Sequence, residues 1–541
     1  MYDYIIVGAG SAGCVLANRL TEDPSVHVLL IEAGGPDTKR EIHIPIDFAK
    51  LFQTPYDWAY MTEAQEQLHH RPLYWPRGKM LGGSSSMNIM VYIRGNAYDY
   101  NQWRDSGNVG WGYTDVLPYF TKAEHQQRGA SMYHGAVGPL SVNDQRSPNI
   151  LSRTFVEAGV EIGLPRNPDF NGETQEGIGL VQVTQKRGRR DSTADAYLRP
   201  ALKRPNLSVL TDTLVQHLLF DGRRAVGVAY THQGKEEQAE ASREVLLCAG
   251  AINSPQLLLL SGVGPADQLQ ALAIPLIADL PGVGQNLHDH LISPICYAAT
   301  RPITLANVQD LSNRLKFSLF RRGPLTSNVG EAAAFYKTSE DLPAPDLEIT
   351  FAPMPFFPPD IMNQRQMFTL GAISLSPKSR GYLALRSRDP QHSPLIQPHY
   401  LQKEEDLQVM VEGVKLARRL AQAHAFDSYR GEESAPGPQV QSDKDIGDFI
   451  REHAATVFHP VGTCKMGKDP LAVVDSELRV YGVEHLRVVD ASIMPMIVRG
   501  HTNAAAIMIA EKAADLIKQA SRQSQSGEPI AIGHTPTSSQ D

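Results

Sequence analysis

The chain has 541 residues, long enough to bury a large core without disulfide or metal staples and, at ordinary domain sizes, to form two to four domains. Its 51 Lys and Arg against 59 Asp and Glu leave a net charge of −8, which argues against a nucleic-acid partner, because such proteins carry a basic excess. Four cysteines, Cys14, Cys248, Cys296 and Cys464, lie far apart with no CxxC pair, so neither a metal site nor a disulfide framework is expected. So few cysteines fit a reducing compartment, and the N-terminus has no basic region followed by an apolar stretch, so the expected location is cytoplasmic.

In chain order, residues 3–8 (DYIIVG) form a short apolar run of β-type residues, followed by Gly8-Ala9-Gly10-Ser11-Ala12-Gly13. An amphipathic helix is expected next, with Val15, Leu16 and Leu20 on one face, then a second strand at 26–31 (VHVLLI) ending at Glu32. Together these make a βαβ unit, so the fold class is α/β, α+β when the whole chain is counted. Residues 36–150 read as mixed and loop-rich. Strands recur at SVLTDTLVQHLLFD, RAVGVAY and REVLLCAG. The uncharged run 245–266 is long enough to span a bilayer, but Asn253, Ser254, Pro255 and Gln256 in its middle would have to be buried in hydrocarbon; it reads as strand, turn and helix. A basic amphipathic piece (LSNRLKFSLFRRG), an alternating strand (DLEITFA) and a helix near 404–424 follow. A helix over 503–520 precedes a polar segment, 521–541, that reads as a disordered tail.

The glycine turn carries the first functional signal. Gly8 allows the tight turn, Gly10 lets the backbone approach a pyrophosphate, and Gly13 permits close packing of helix on strand. The helix N-terminus offers free N–H groups to phosphates. Glu32, at the end of the second strand, is placed to accept hydrogen bonds from ribose hydroxyls, and its charge would repel a 2′-phosphate. The motif does not separate NAD from FAD.

Three further segments do. Gly78-Lys79-Met80-Leu81-Gly82-Gly83-Ser84-Ser85-Ser86-Met87-Asn88 is followed by Tyr92, Gly95 and Asn101; Gly250-Ala251-Ile252-Asn253-Ser254-Pro255 leads to Ser261-Gly262-Val263-Gly264; and His459-Pro460-Val461-Gly462-Thr463 precedes Asp490-Ala491-Ser492-Ile493-Met494-Pro495 and His501. With the N-terminal GAGSAG these resemble the glucose-methanol-choline (GMC) flavoenzyme family, over about residues 2–518. The resemblance implies FAD, a Rossmann-like FAD-binding domain assembled from 1–150, 200–300 and 455–520, and a substrate domain with an antiparallel sheet from 150–200 and 300–455. The family's own two segments would fall near 2–300 and 370–512. It also implies oxidation of an alcohol to an aldehyde or ketone.

On the same resemblance the cofactor would be lined by Gly8, Gly10, Ser11, Ala12, Gly13, Glu32 and Ala33, by Arg77, Gly78, Leu81, Gly82, Gly83, Ser84, Ser85 and Asn88 to Val91 (Ile89 and Met90 between them), and by Val215, Ala249, Asp490, Ala491, His501, Thr502 and Asn503. Some relatives attach the flavin through a histidine immediately before the Asn of the second motif. Met87 stands there, so the FAD is expected to be non-covalent.

An alcohol is a poor hydride donor while its proton stays on, so the site needs a base. A histidine, whose pKa lies near neutral, suits the task. By position in the family motifs, His459 is the base and His501 its partner on the alcohol oxygen. His288 and His290, in PGVGQNLHDH, read as structural or near the site mouth, and His69, His70, His125 and His134 are unassigned.

Choline-oxidising relatives usually carry Asn at the position of His501, so the His–His pair resembles aryl-alcohol oxidases and glucose oxidase more. Phe351-Ala352-Pro353-Met354-Pro355-Phe356-Phe357-Pro358-Pro359 reads equally as a lid over an apolar alcohol and as a Pro-rich structural loop. The acceptor is dioxygen or a quinone or carrier, with a slight lean to a dehydrogenase. The stretch 314–322 reads first as a solvated helix face and second as a surface for peripheral contact with the inner membrane. On the residues alone, a hydroxynitrile-type FAD lyase, a light-driven fatty-acid decarboxylase and a non-enzymatic flavin-binding protein stay open; retention of both histidines argues against the decarboxylase.

Overall fold

The computed structural model describes residues 1–306, 308–355 and 366–526, and it builds two seven-stranded sheets. In chain order their strands are β1 (Tyr2–Val7), β2 (Val28–Ile31), β3 (Gly177–Leu180), β4 (Leu207–Leu210), β5 (Thr213–Asp221), β6 (Arg224–His232), β7 (Lys235–Leu247), β8 (Leu291–Ala299), β9 (Ala332–Tyr336), β10 (Leu347–Ala352), β11 (Met367–Ser374), β12 (Arg430–Ala435), β13 (Ala455–Thr456) and β14 (Leu486–Val488). The helices around them include α1 (Ser11–Leu20), α2 (Gly250–Leu260), α3 (Leu311–Phe320), α4 (Glu404–Gln422) and α5 (Thr502–Ser526).

The first sheet has the order β4-β2-β1-β7-β6-β5, with β14 also paired to β7. β4, β2, β1, the C-terminal part of β7 and β14 are parallel. Tyr4–Val7 and Val28–Ile31 are buried throughout, which is why they read as continuous apolar runs: a parallel strand is covered on both faces. β7 changes partner along its length, pairing antiparallel with β6 over 235–240 and parallel with β1 over 244–247. The uncharged 245–266 run thus divides into the end of β7 and helix α2. Its polar residues find partners inside the protein: Asn253 donates to Tyr60, Ser254 to Asp490 and Gln256 to the carbonyl of His392. Among the described residues no helix is long and apolar enough to cross a membrane.

The second sheet, β12-β8-β11-β10-β9-β3 with β13 on β8, is antiparallel at every pairing. α4 covers one face: a Cβ on its Gly413 would meet Ala372 and Leu347 within 3 Å. The other face carries Thr350, Ala352, Ile292 and Ile373 towards a cavity shared with the first sheet.

Three expectations are corrected. β10, expected to alternate, is buried on both faces because α4 occupies the side a surface strand would give to water. Leu291–Ala299, expected in the cofactor domain, is an interior strand of the second sheet, paired with β11 on one side and β12 on the other. α5 runs to Ser526, six residues into the expected tail; Tyr4 and Arg243 hold it there through Ser521. The rest of that tail, and residues 356–359 of the proline-rich segment, lie outside the described residues. Within the latter segment Phe351 and Ala352 are strand residues rather than lid.

One buried charge cluster ties the loop-rich region after β2 to the second sheet's flank. His134 donates from Nε2 to Asp169 at 2.8 Å and from Nδ1 to Glu124 at 3.0 Å, and Glu124 also pairs with Arg94. Burial opposes a charge on His134, but the two carboxylates outweigh it and push its pKa up to about 9. A raised histidine stabilises fully below its unfolded value of about 6.5, and that contribution is lost as pH rises through the folded value. Urea unfolding of the wild type should therefore show roughly 2 kcal/mol less stability above pH 9 than at pH 6, and His134→Gln should flatten that dependence.

Candidate active site

The turn from β1 to α1 sets the first end of the cavity. Gly8 has φ +100°, and a Cβ there would lie 2.6 Å from the carbonyl of Cys248. Gly10 begins α1 without any side-chain cap, so the first N–H groups of the helix stay free for a ligand. Glu32 is buried beside them and accepts from the N–H groups of Ala9 at 2.8 Å and Gly34 at 2.9 Å; burial pushes its carboxyl up to about 7. The 78–88 loop closes on this turn: Gly82 donates to the carbonyl of Ala9 at 2.7 Å, and a Cβ on Gly83 would lie 2.7 Å from Gly10 Cα. Asp490 fixes the start of α2, accepting from the N–H of Gly250 and the hydroxyl of Ser254.

Gly8, Gly10, Ser11, Ala12, Glu32 and Ala33 line the cavity, as do Arg77, Gly78, Gly83, Ser84, Asn88, Ile89, Met90 and Val91. So do Val215, Ala249, Asp490, Ala491, His501, Thr502, Asn503 and His459. Four expected residues stand behind the wall. A Cβ on Gly13 would point at the carbonyl of Gly8, 1.9 Å away; Leu81 is buried and bonds to Gly35; Gly82 packs on Ser86; and Ser85 bonds to Gly82 and Thr193. Gly13 stands in α1 and the other three in the 78–88 loop, all outside the cavity lining.

At the far end, the rings of His459 and His501 face each other with centroids 5.0 Å apart at 75°. His459 sits on a tight loop just after Phe458, which has φ +66°. Segment 288–290 clamps that loop. His288 and Val461 exchange backbone hydrogen bonds, and Val457 donates to the carbonyl of His290. Asp289 accepts from the N–H of His459 at 2.7 Å and from the hydroxyls of Thr456 and Tyr400. Arg77 reaches across to the carbonyl of Phe458. Burial pushes Asp289 up to about 6.

His290 fixes the proton on His459. Its Nε2 lies 3.1 Å from the carbonyl of Leu375, which can only accept, so His290 carries its proton there. Its Nδ1 is then an acceptor, and His459 Nδ1, 3.1 Å away, must be the donor. Neutral His459 thus keeps its lone pair on Nε2. Burial first, then the neighbouring His501, His290 and Arg77, holds the pKa of His459 well below the ordinary histidine value. His501 donates from Nε2 to Oε1 of Glu348 at 3.4 Å. His288 is turned elsewhere, donating to Asn286 and accepting from the N–H of Ile497.

Sequence reading missed Asp289, Glu348 and the aromatic wall of Phe48, Phe52, Trp58 and Phe458. Asp289 had a signal, lying between two histidines that were singled out; the others belong to no motif.

A glycine-turned dinucleotide cradle on a parallel sheet, joined by one cavity to a histidine pair under an antiparallel sheet, defines a cofactor-dependent redox enzyme. The chain belongs to the GMC oxidoreductase family, whose N-terminal and C-terminal models match residues 2–292 and 377–510. It is 48% identical over 533 residues to human mitochondrial choline dehydrogenase, covering 96% of this chain and 90% of that one. It is 47% identical over 529 residues to the alcohol dehydrogenase [acceptor] of Pseudomonas putida, covering 96% of both. Among solved structures, pyridoxine 4-oxidase from Mesorbium loti superposes with a TM-score of 0.88 at 34% identity, covering 96% of this chain and 99% of that one.

Proposed function

We propose that this chain oxidises an apolar primary alcohol, with His459 Nε2 as the base, non-covalent FAD as hydride acceptor, and dioxygen or a quinone-type carrier as the final acceptor. The observation that carries this reading is the His290–His459 hydrogen bond, which leaves His459 a free lone pair on the cavity side of a dinucleotide cradle. Oxidation of a CH–OH donor is the activity of the family to which the chain belongs.

The residues present fit FAD. The uncapped N-terminus of α1 suits a pyrophosphate, Glu32 suits a ribose, and Gly250, at φ +83° with open space where a Cβ would stand, leaves room along the wall. When bound, FAD supplies acceptance of a hydride from the carbinol carbon. The remaining work falls to side chains. His459 Nε2 takes the hydroxyl proton. His501, its Nε2 turned to Glu348, stands on the other side of the alcohol oxygen from His459. Asp289 and Arg77 keep the His459 loop in place. Met87 lines the cavity where some relatives have the attaching histidine, which supports a flavin held without a covalent bond.

The apolar substrate is supported by a described wall of Phe48, Phe52, Ile89, Val329, Ala352 and Phe458. Choline is the second reading, favoured by the aromatic rings, which suit a quaternary ammonium, and by the choline dehydrogenases among the relatives. A cytoplasmic location is supported by four buried cysteines with no disulfide.

Anaerobic mixing with candidate alcohols tests the reading: an apolar primary alcohol should bleach the flavin absorbance faster than choline, and acid precipitation should leave the pellet colourless. Bleaching by choline alone would reverse the substrate order, and a yellow pellet would overturn the non-covalent flavin. His290→Ala should lower kcat roughly tenfold to a hundredfold with little change in KM, because it removes the group that fixes the His459 proton without touching the wall. A pure KM effect in steady-state assays would contradict that positioning role.

A further inference from the structure

Helix α3 presents its apolar side to water. Asn313 and Phe317 turn inward, and Phe317 packs among Ile44, Leu305, Val308 and Leu325. Leu311, Leu315 and Leu319, within an arc of about 80° at helical spacing, point the opposite way. They are 74%, 51% and 71% exposed. Arg314 and Lys316 flank this stripe on its two sides, and Arg321 and Arg322 follow at its end. No acidic residue interrupts 311–322, although the chain as a whole carries −8. None of the four cations has an ion pair among the described residues, and Arg321 lies over the Phe317 ring, 5.0 Å from its centroid.

We propose that α3 docks on an anionic lipid surface, with the leucine stripe in the acyl–headgroup boundary and the cations on the phosphates. An in-plane amphipathic helix needs this combination of apolar side chains and basic flanks. A second copy of the chain would satisfy the leucines but would set four cations against four. Lipid satisfies both. The Phe317 cluster on the inner side of α3 shares Ile46 and Met354 with the cluster of Phe48, Val329 and Ala352, which line the cavity, so the helix and the packed layer formed by these two clusters lie between the docking face and the site. Access of a bilayer-dissolved alcohol or carrier through that layer rests on the alcohol-oxidising reading; the docking does not.

The experiment is sedimentation of the full-length holoenzyme with vesicles of phosphatidylcholine alone or with about one-third phosphatidylglycerol. Binding should require the anionic lipid and weaken with salt. Leu315→Glu with Leu319→Glu, and separately Arg314→Glu with Lys316→Glu, should each reduce the bound fraction roughly tenfold or more while leaving the melting temperature and turnover with a soluble dye unchanged. Failure of the wild type to bind anionic vesicles, or undiminished binding by both variants, overturns the proposal. So does a dimer without vesicles that the leucine variant converts to monomer. Vesicle binding without turnover of any alcohol would leave the docking standing and sink the alcohol reading instead.

Discussion

His459→Ala should retain bound FAD and lose alcohol oxidation by roughly 10²–10⁴-fold in kcat. The imidazole contributes no hydrogen bond to the glycine turn or to Glu32, so the flavin spectrum of the purified variant should match the wild type. The loss reflects removal of the group whose Nε2 receives the hydroxyl proton; without it the carbinol must give up hydride while still protonated. Because burial and two neighbouring histidines hold His459 well below the ordinary value, wild-type kcat/KM should stay level as pH falls through 6.5 and decline only at more acid pH. Full turnover in the alanine variant, or a wild-type profile that halves at pH 6.5, would remove His459 from the role of base.

The second large effect falls on the cofactor cradle. Gly13→Ala should yield protein nearly free of FAD. The added methyl would sit 1.9 Å from the carbonyl oxygen of Gly8 and 3.0 Å from its carbon, both backbone atoms held in the β1–α1 turn. No side chain can swing aside to relieve that overlap, so α1 must move away from β1, and the uncapped N–H groups after Gly10 move with it. The clash lies behind the wall rather than in it, so the loss would come through geometry alone. The ratio of flavin to protein absorbance after purification measures this; a stoichiometric ratio would show that α1 tolerates the shift.

Much of this protein was legible along the chain because the relevant neighbours are close in sequence. The β1–turn–α1–β2 unit is set by glycines and apolar runs within about thirty residues, and strand, turn and helix signals there agree. β10 was read less well, since its alternation is real in direction but α4, arriving from elsewhere, buries the face that would otherwise be wet. The extension of α5 to Ser526 was hidden for a similar reason: Ser521 is anchored by Tyr4 and Arg243, hundreds of residues away.

The sequence by itself showed the glycine turn for a local physical reason, and its motifs, by their resemblance to the family, pointed to the two histidines. The tertiary structure alone decided which proton those histidines carry and what restrains them. His290 meets His459 across 169 positions, and Glu348 meets His501 across 153. It also decided the sense of α3. The pattern of leucines and cations shows an amphipathic helix either way; only the packing of Phe317 into the body turns the leucines outward.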